Sequence, residues 1–159
     1  MALTAVHAWK PSSSRSVVID TFVPVPRGGS VSTPPLLNWA PKDPRDVLDY
    51  QVDISPALVG DENDVIASVD AVSSPNGPDD LAITSVLADG PRVIVWVSGG
   101  MAGRVYNVRL EIAMTSGRRV QRGILLPVVE MANGGQNVAI IEVSSGIQLT
   151  DDNGNPVLV

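Results

Sequence analysis

The chain has 159 residues, a formal net charge of −6 and no cysteine, which excludes a disulfide framework and a thiolate metal site. Its one histidine, His7, lies outside any periodic segment, so we expect no histidine-based catalysis or metal binding, no cofactor and no enzymatic activity. Net acidity argues against nucleic acid as a partner, and the apolar runs are far shorter than the ~20 residues of a membrane span, which argues against a membrane.

Residues 1–42 form a proline-rich segment that we interpret as an extended docking arm, because proline fixes φ and lacks an amide donor. The segment 1–44 is net basic, with four basic and two acidic residues, whereas the rest of the chain is acidic. This contrast favours docking on an acidic neighbour such as another copy of the body, although ordinary surface charge is an open alternative. The apolar residues predicted to make that contact are Val17, Ile19, Phe22, Leu36, Leu37 and Trp39.

Residues 43–130 show the period-two alternation of a β-rich body. Apolar side chains occupy every second position from Tyr106 to Met114, and alternate side chains of a strand point to opposite faces of a sheet. Turn signals separate about six such runs, which is typical of an immunoglobulin-like or fibronectin-III-like β-sandwich. The predicted strands cover residues 48–54, 65–71, 81–87, 92–97, 106–115 and 118–128.

The strand over residues 92–97 is apolar in both phases, so one of its faces has to be hidden by something other than the sandwich core. We predict that Val93, Val95 and Val97 form a contact face for the arm or a neighbouring subunit. Trp96, on the opposite phase, is interpreted as a core residue. On the last strand, the parity of its apolar neighbours places Arg122 on the inward face, which predicts a bulge or an edge strand there.

The connection after the 92–97 strand is rich in glycine, but it has no nearby lysine and leads into another strand. A phosphate-binding loop is therefore not indicated. Gly99 and Gly100 are instead predicted to permit a tight connection with positive φ. Tyr106, at the start of the long strand, is interpreted as a tyrosine corner with its ring in the core and its hydroxyl bonded to a nearby loop. Residues 131–159 are predicted to form a C-terminal β extension that ends in a hairpin around Asn153-Gly154.

Several separated motifs resemble one protein family. They are Asp-Pro-Arg-Asp-Val-Leu-Asp-Tyr at 43–50, Asp-Val-Ile-Ala-Ser at 64–68, Val-Trp-Val-Ser-Gly-Gly-Met-Ala-Gly at 95–103, Tyr-Asn-Val at 106–108 and Thr-Ser-Gly-Arg at 115–118. In this order they resemble the bacteriophage fibre–tail adaptor proteins, over roughly residues 41–128.

The resemblance implies an Ig-like structural protein of a phage tail or neck that joins fibres or tip proteins to the tail. It also implies a virion component made in the host cytoplasm. Its partners would be other tail, portal-adaptor or fibre proteins, and we expect a homo-oligomer in a ring. A binding module that recognises a host-surface glycan or receptor is the alternative from a different class, and a hydrolase on a β-sandwich is a third.

Overall fold

A computed structural model describes residues 12–22 and 36–132 of the chain, and in these ranges it contains β-strands and two short 3-10 turns. The chain divides into two compact units, Met1–Val129 and Glu130–Val159. His7 and nearly all of the predicted C-terminal extension lie outside the described residues. The strands are β1 (Ser16–Val18), β2 (Leu37–Asn38), β3 (Leu48–Asp53), β4 (Ile66–Ser74), β5 (Leu81–Asp89), β6 (Arg92–Gly99), β7 (Arg104–Met114) and β8 (Arg119–Val128).

The strands form two sheets of four. The first sheet has the order β1-β3-β6-β5 and the second has the order β2-β8-β7-β4. The short strands β1 and β2 pair in parallel with β3 and β8, and all other pairs are antiparallel. The prediction of an all-β sandwich is therefore confirmed.

The period-two pattern of the sequence explains how the core forms between the sheets. In β7 the side chains at Tyr106, Val108, Leu110, Ile112 and Met114 are buried, while most of those between them are more exposed. Because these side chains all point to one face of the second sheet, they pack with the inward residues of the first sheet into a single cluster.

The described parts of the N-terminal arm belong to this same core. Val17, Ile19 and Trp39 are buried in the cluster that the body strands form. This corrects their interpretation as contacts to a neighbouring molecule: the partner of these three side chains is the chain's own body. The physical reason is that, without the arm, β3 and β8 would be sheet edges with unpaired backbone groups. β1 pairs with part of β3, and β2 pairs with part of β8. Phe22 and Leu37 pack partly against the core, and Leu36 is exposed.

Backbone and side-chain hydrogen bonds hold the end of the arm in place. Lys42 forms an isolated parallel bridge with Val128, and its side chain is fully buried. Its ammonium group donates hydrogen bonds of 2.7 Å to the carbonyl oxygens of Asp43 and Gly99. Burial lowers the pKa of Lys42, and the nearby carboxylates of Asp46 and Asp43 act in the opposite direction. The lysine thereby ties the arm to the connection between β6 and β7.

The structure also corrects two predictions for β6. Val93, Val95 and Val97 are fully buried in the core, so they do not form an exposed contact face. Trp96 is partly buried and lies on the opposite side of the sheet, outside the core. Since both phases of this strand are apolar, the sequence pattern did not distinguish the inward phase from the outward one.

Arg122 lies at the inward parity, as its neighbours Val120 and Ile124 require, but no bulge accommodates it. The register between β7 and β8 is continuous through this position. The short strand β2 covers β8 at Ile124 and Leu125, so β8 is locally an edge at Arg122. The guanidinium group therefore extends past the edge and donates a 3.1 Å hydrogen bond to the carbonyl oxygen of Phe22.

Candidate functional site

The side of the first sheet that faces away from the core carries an apolar centre. Because the valines of β6 point inward, Ile94 and Trp96 point outward, and both are only partly buried. Leu87 on β5 is the register partner of Ile94 and is 36 % exposed. We call Leu87, Ile94 and Trp96, together with the flanking Asp49 of β3, the outer face.

Charged pairs border the outer face on the side of β3. Asp49, the register partner of Trp96, lies 3.2 Å from the Arg15 guanidinium. Asp53 lies 3.9 Å from Arg92. An apolar centre that includes a tryptophan, bordered by paired charges, resembles the layout of protein–protein interfaces, in which a few buried aromatic anchors contribute most of the binding energy.

One end of the sandwich is held by the hydroxyl group of Tyr106. The ring of Tyr106 is fully buried, and its hydroxyl accepts a 2.9 Å hydrogen bond from the backbone N–H of Met101 and donates one of 2.9 Å to Asp80. Asp80 also accepts hydrogen bonds from the Gly77 N–H and from Arg104. Burial raises the pKa of Tyr106. The Gly77 N–H, followed by the Tyr106 hydroxyl, lowers the pKa of Asp80.

The glycine connection between β6 and β7 closes tightly over this tyrosine. Gly99 has a φ of +69° and Gly100 a φ of +95°, as the sequence predicted. A Cβ atom at Gly100 would lie 2.9 Å from Val128 Cγ2 and 3.3 Å from Tyr106 Cε2. Gly100 thus combines a left-handed backbone with a close approach to the core, and both properties require glycine. Tyr106, Gly99 and Gly100 therefore have structural roles, since they hold the connection between β6 and β7 against the core.

The opposite end is organised by Asp64, which caps the turn between β7 and β8. Its carboxylate accepts hydrogen bonds from the Ser116 hydroxyl at 2.6 Å, the Ser116 N–H at 2.9 Å and the Thr115 hydroxyl at 3.1 Å. Arg118 lies 3.2 Å from the same carboxylate and also pairs with Asp61. The Ser116 hydroxyl is the main cause of the lowered pKa of Asp64. These contacts show that Asp64 has a structural role, because its carboxylate holds the turn between β7 and β8.

Arg118, Arg119 and Arg122, at and just before the start of β8, line an open hollow of about 670 Å³ together with Phe22 and Val59. All three arginines have partners within the chain. Arg119 lies 3.1 Å from Glu111, Arg118 pairs with Asp64, and Arg122 donates to the carbonyl oxygen of Phe22.

Within residues 12–22 and 36–132, no group of three His, Cys, Asp or Glu side chains is placed to hold a metal ion. No helix in these ranges is long and apolar enough to cross a membrane.

Sequence reasoning missed Leu87 as part of an exposed face and assigned Trp96 to the core. A signal was present, because the 81–87 segment carries Leu, Ile, Val and Leu without a charged residue, but its irregular phase hid which side chains point outward. The register shift between Ile83 and Ser85 causes this irregularity.

The fold defines a β-sandwich protein, and the outer face is a partly buried apolar patch on its first sheet. The family model for the podophage GP4 fiber-tail adaptor protein gp77 matches residues 42–127, and the chain belongs to this family. The family is that of a phage fibre–tail adaptor, so the chain is a structural component of a phage virion that binds other tail or fibre proteins. The match covers β3 to β7 and nearly all of β8, and it leaves out β1 and β2. No curated protein matches the chain.

Proposed function

We propose that this protein joins tail fibres or tip proteins to the tail of the phage and catalyses no reaction. The outer face is the observation that carries the proposal. Trp96 presents a large, rigid and partly exposed ring next to Ile94 and Leu87, and tryptophan is enriched among residues that dominate binding at interfaces. A rigid sheet holds these side chains in place before binding, which lowers the entropic cost of association.

The proposal includes an immunoglobulin-like topology. With β3 to β8 taken as strands B to G, the first sheet has the order A-B-E-D and the second contains C-F-G, which is the arrangement of constant-type immunoglobulin domains. The hydrogen bond from the Met101 N–H to the Tyr106 hydroxyl supports the same assignment, because a tyrosine corner stands at the start of strand F. The chain has no cysteine, so it lacks the inter-sheet disulfide of antibody domains.

The proposal also includes assembly of several copies into a ring within the virion, from protein made in the host cytoplasm, with neither nucleic acid nor membrane as a partner. Closed rotational symmetry is the usual form of homo-oligomers, and an adaptor in a ring would present identical outer faces to several fibres. The outer face of each copy would then be a fibre or tip contact, and ring contacts would use other surfaces.

Electron microscopy of particles that carry a small peptide tag on this protein tests the proposed function. The tag is appended after Val159, outside the residues 42–127 that the family model matches. Label at the junction between tail and fibres is expected. Label that is absent from particles, or that lies at the distal tips which contact the host, would contradict the proposal and favour the receptor-binding alternative.

A further inference from the structure

The four edge strands of the described sandwich differ in how well they are protected from pairing with another chain. β1 has three residues and β2 has two, and short edges offer little to pair with. β4 has nine residues, but its register shifts between Ile66 and Ser68 and it carries Asp70. β5 also has nine residues, and its register shifts between Ile83 and Ser85, but it contains no charged side chain from Leu81 to Ala88. β5 is therefore the least protected long edge by charge.

The register shows which backbone groups of β5 are directed outward. The N–H of Ile54 donates to the carbonyl oxygen of Pro91, so the odd-numbered residues of β6 bond toward β3 and the even-numbered ones bond toward β5. Arg92, Ile94 and Trp96 are paired with Asp89, Leu87 and Ser85. By alternation, the backbone groups of Val86 and Ala88 point away from β6, where an added strand could bond to them.

The surroundings of this edge are acidic. Asp79 and Asp89 stand at the two ends of β5, both exposed, and residues 61–91 contain no lysine or arginine. Of the other acidic residues in this range, Asp61, Asp64 and Asp80 pair with Arg118 and Arg104. A second copy that added its own β5 would bring the same acidic ends against this edge, which like-charge repulsion disfavours. Charge complementarity favours an occupant that is basic.

We propose that the free edge of β5 binds an extended segment of a partner protein, with alternating apolar residues and lysine or arginine at its ends, by adding it as a fifth strand to the first sheet. This mode of recognition uses main-chain hydrogen bonds for affinity and side-chain contacts for selectivity. It rests on the proposed function, since the partner would be the fibre or tip protein that the adaptor holds. The added strand would also extend the outer face beside Leu87.

The test uses the full chain labelled with nitrogen-15 and three synthetic peptides. One peptide alternates valine and threonine between two terminal lysines, the second has glutamate in place of lysine, and the third has proline at every internal position. The basic peptide is expected to slow amide exchange at Val86 and Ala88 by at least about tenfold. The acidic peptide should bind at least about tenfold more weakly at low salt, and the proline peptide, which lacks the needed donors, should not protect these amides.

Two variants at one position isolate the backbone contribution. Ala88→Pro removes an outward amide from an exposed position while the bonded pairs with β6 keep their donors, and Ala88→Val keeps the amide. The basic peptide should lose at least about tenfold in affinity for Ala88→Pro and retain its affinity for Ala88→Val. Thermal unfolding of both variants checks that the sandwich is intact. Equal affinity for the two variants would overturn the proposal.

The outcomes separate this inference from the proposed function. Without peptide, the amides of Val86 and Ala88 could become protected from exchange as the protein concentration rises. That result would identify a second copy as the occupant of the edge and would overturn the proposal of a basic partner segment. A tagged protein found at the fibre junction, together with a basic peptide that leaves both amides unprotected, would reject the β5 inference alone. A tag found away from that junction would reject the proposed function, whatever the peptide does.

Discussion

The rings of Trp39 and Tyr50 lie with their centroids 5.0 Å apart and their planes tilted by 39°. Trp39 belongs to the N-terminal arm and Tyr50 to the first long strand of the body. Each of the two side chains also donates a hydrogen bond to a backbone carbonyl next to the other residue. The Trp39 indole N–H donates to the Gln51 carbonyl oxygen at 3.1 Å, and the Tyr50 hydroxyl donates to the Ala40 carbonyl oxygen at 3.0 Å. Burial raises the pKa of Tyr50 to about 12. Arm and body therefore share one core.

This shared core predicts that arm residues stabilise the isolated protein. Ile19→Ala should lower the free energy of unfolding by about 2–5 kcal/mol, because it leaves a cavity at a buried position. Val18→Ala, at the adjacent and 53 % exposed position, is the control and should change it by less than about 0.5 kcal/mol. Urea denaturation measures both. Equal and small effects would mean that the arm is dispensable for the fold.

The tyrosine corner should also be measurable in stability. Tyr106→Phe removes the hydroxyl that bridges Met101 and Asp80 and should cost about 1–3 kcal/mol, because partially buried polar groups lose a partner. Arg104→Ala removes a more exposed partner of the same carboxylate and should cost less than about 1 kcal/mol. Denaturation curves that reverse this order would contradict the assignment of Tyr106 as the principal contact of this end.

Two glycines separate backbone strain from steric crowding. Gly103 has a φ of +82°, and a Cβ atom added there would meet no other atom within 4 Å, whereas a Cβ at Gly100 would crowd Val128. Gly103→Ala should therefore cost about 1–2 kcal/mol from the left-handed backbone alone. Gly100→Ala should cost more, since Val128 and Tyr106 have to move as well. Thermal unfolding of the two variants side by side provides the comparison.

Asp64 predicts a specific dependence of stability on pH. Its pKa is lowered in the folded protein, chiefly by the Ser116 hydroxyl, so the folded state favours the charged carboxylate. The resulting stability is present above the ordinary aspartate pKa, near 4, and is lost as the pH falls through the lower folded value. Ser116→Ala should move the pKa of Asp64 back toward the ordinary value in a carboxylate titration by NMR. A titration unchanged by this substitution would refute the stated cause.

The alternation of apolar residues predicted the class of the fold and most of its strands. Period two is explicit in segments such as Tyr106 to Met114, where one face is buried and the other is mostly exposed. The same logic failed for β6, because Ile94 and Trp96 are apolar like the valines between them. Pattern alone did not reveal that the valines face the second sheet, since this depends on how the two sheets are stacked.

The placement of the arm depends on contacts that are distant in sequence. β1 pairs with β3 across more than thirty residues, and β2 pairs with β8 across more than eighty. Prolines and the basic charge indicated an extended segment, but those properties do not specify whether the segment lies on its own body or on another molecule. The apolar residues Val17, Ile19 and Trp39 indicated that the segment docks, but the predicted target, a neighbouring molecule, was wrong, because these side chains are buried in the chain's own core.

The most direct test of the account is the composition of particles assembled with Trp96→Ala. Val72→Ala, at an exposed position of the second sheet, is the matched control, and both purified proteins should first be shown to unfold as the unsubstituted protein does. Electron microscopy should show that Trp96→Ala particles lack fibres or tip proteins, because the outer face has lost its aromatic anchor, whereas Val72→Ala particles are complete. Complete Trp96→Ala particles that fail only to adsorb to the host would contradict the adaptor account.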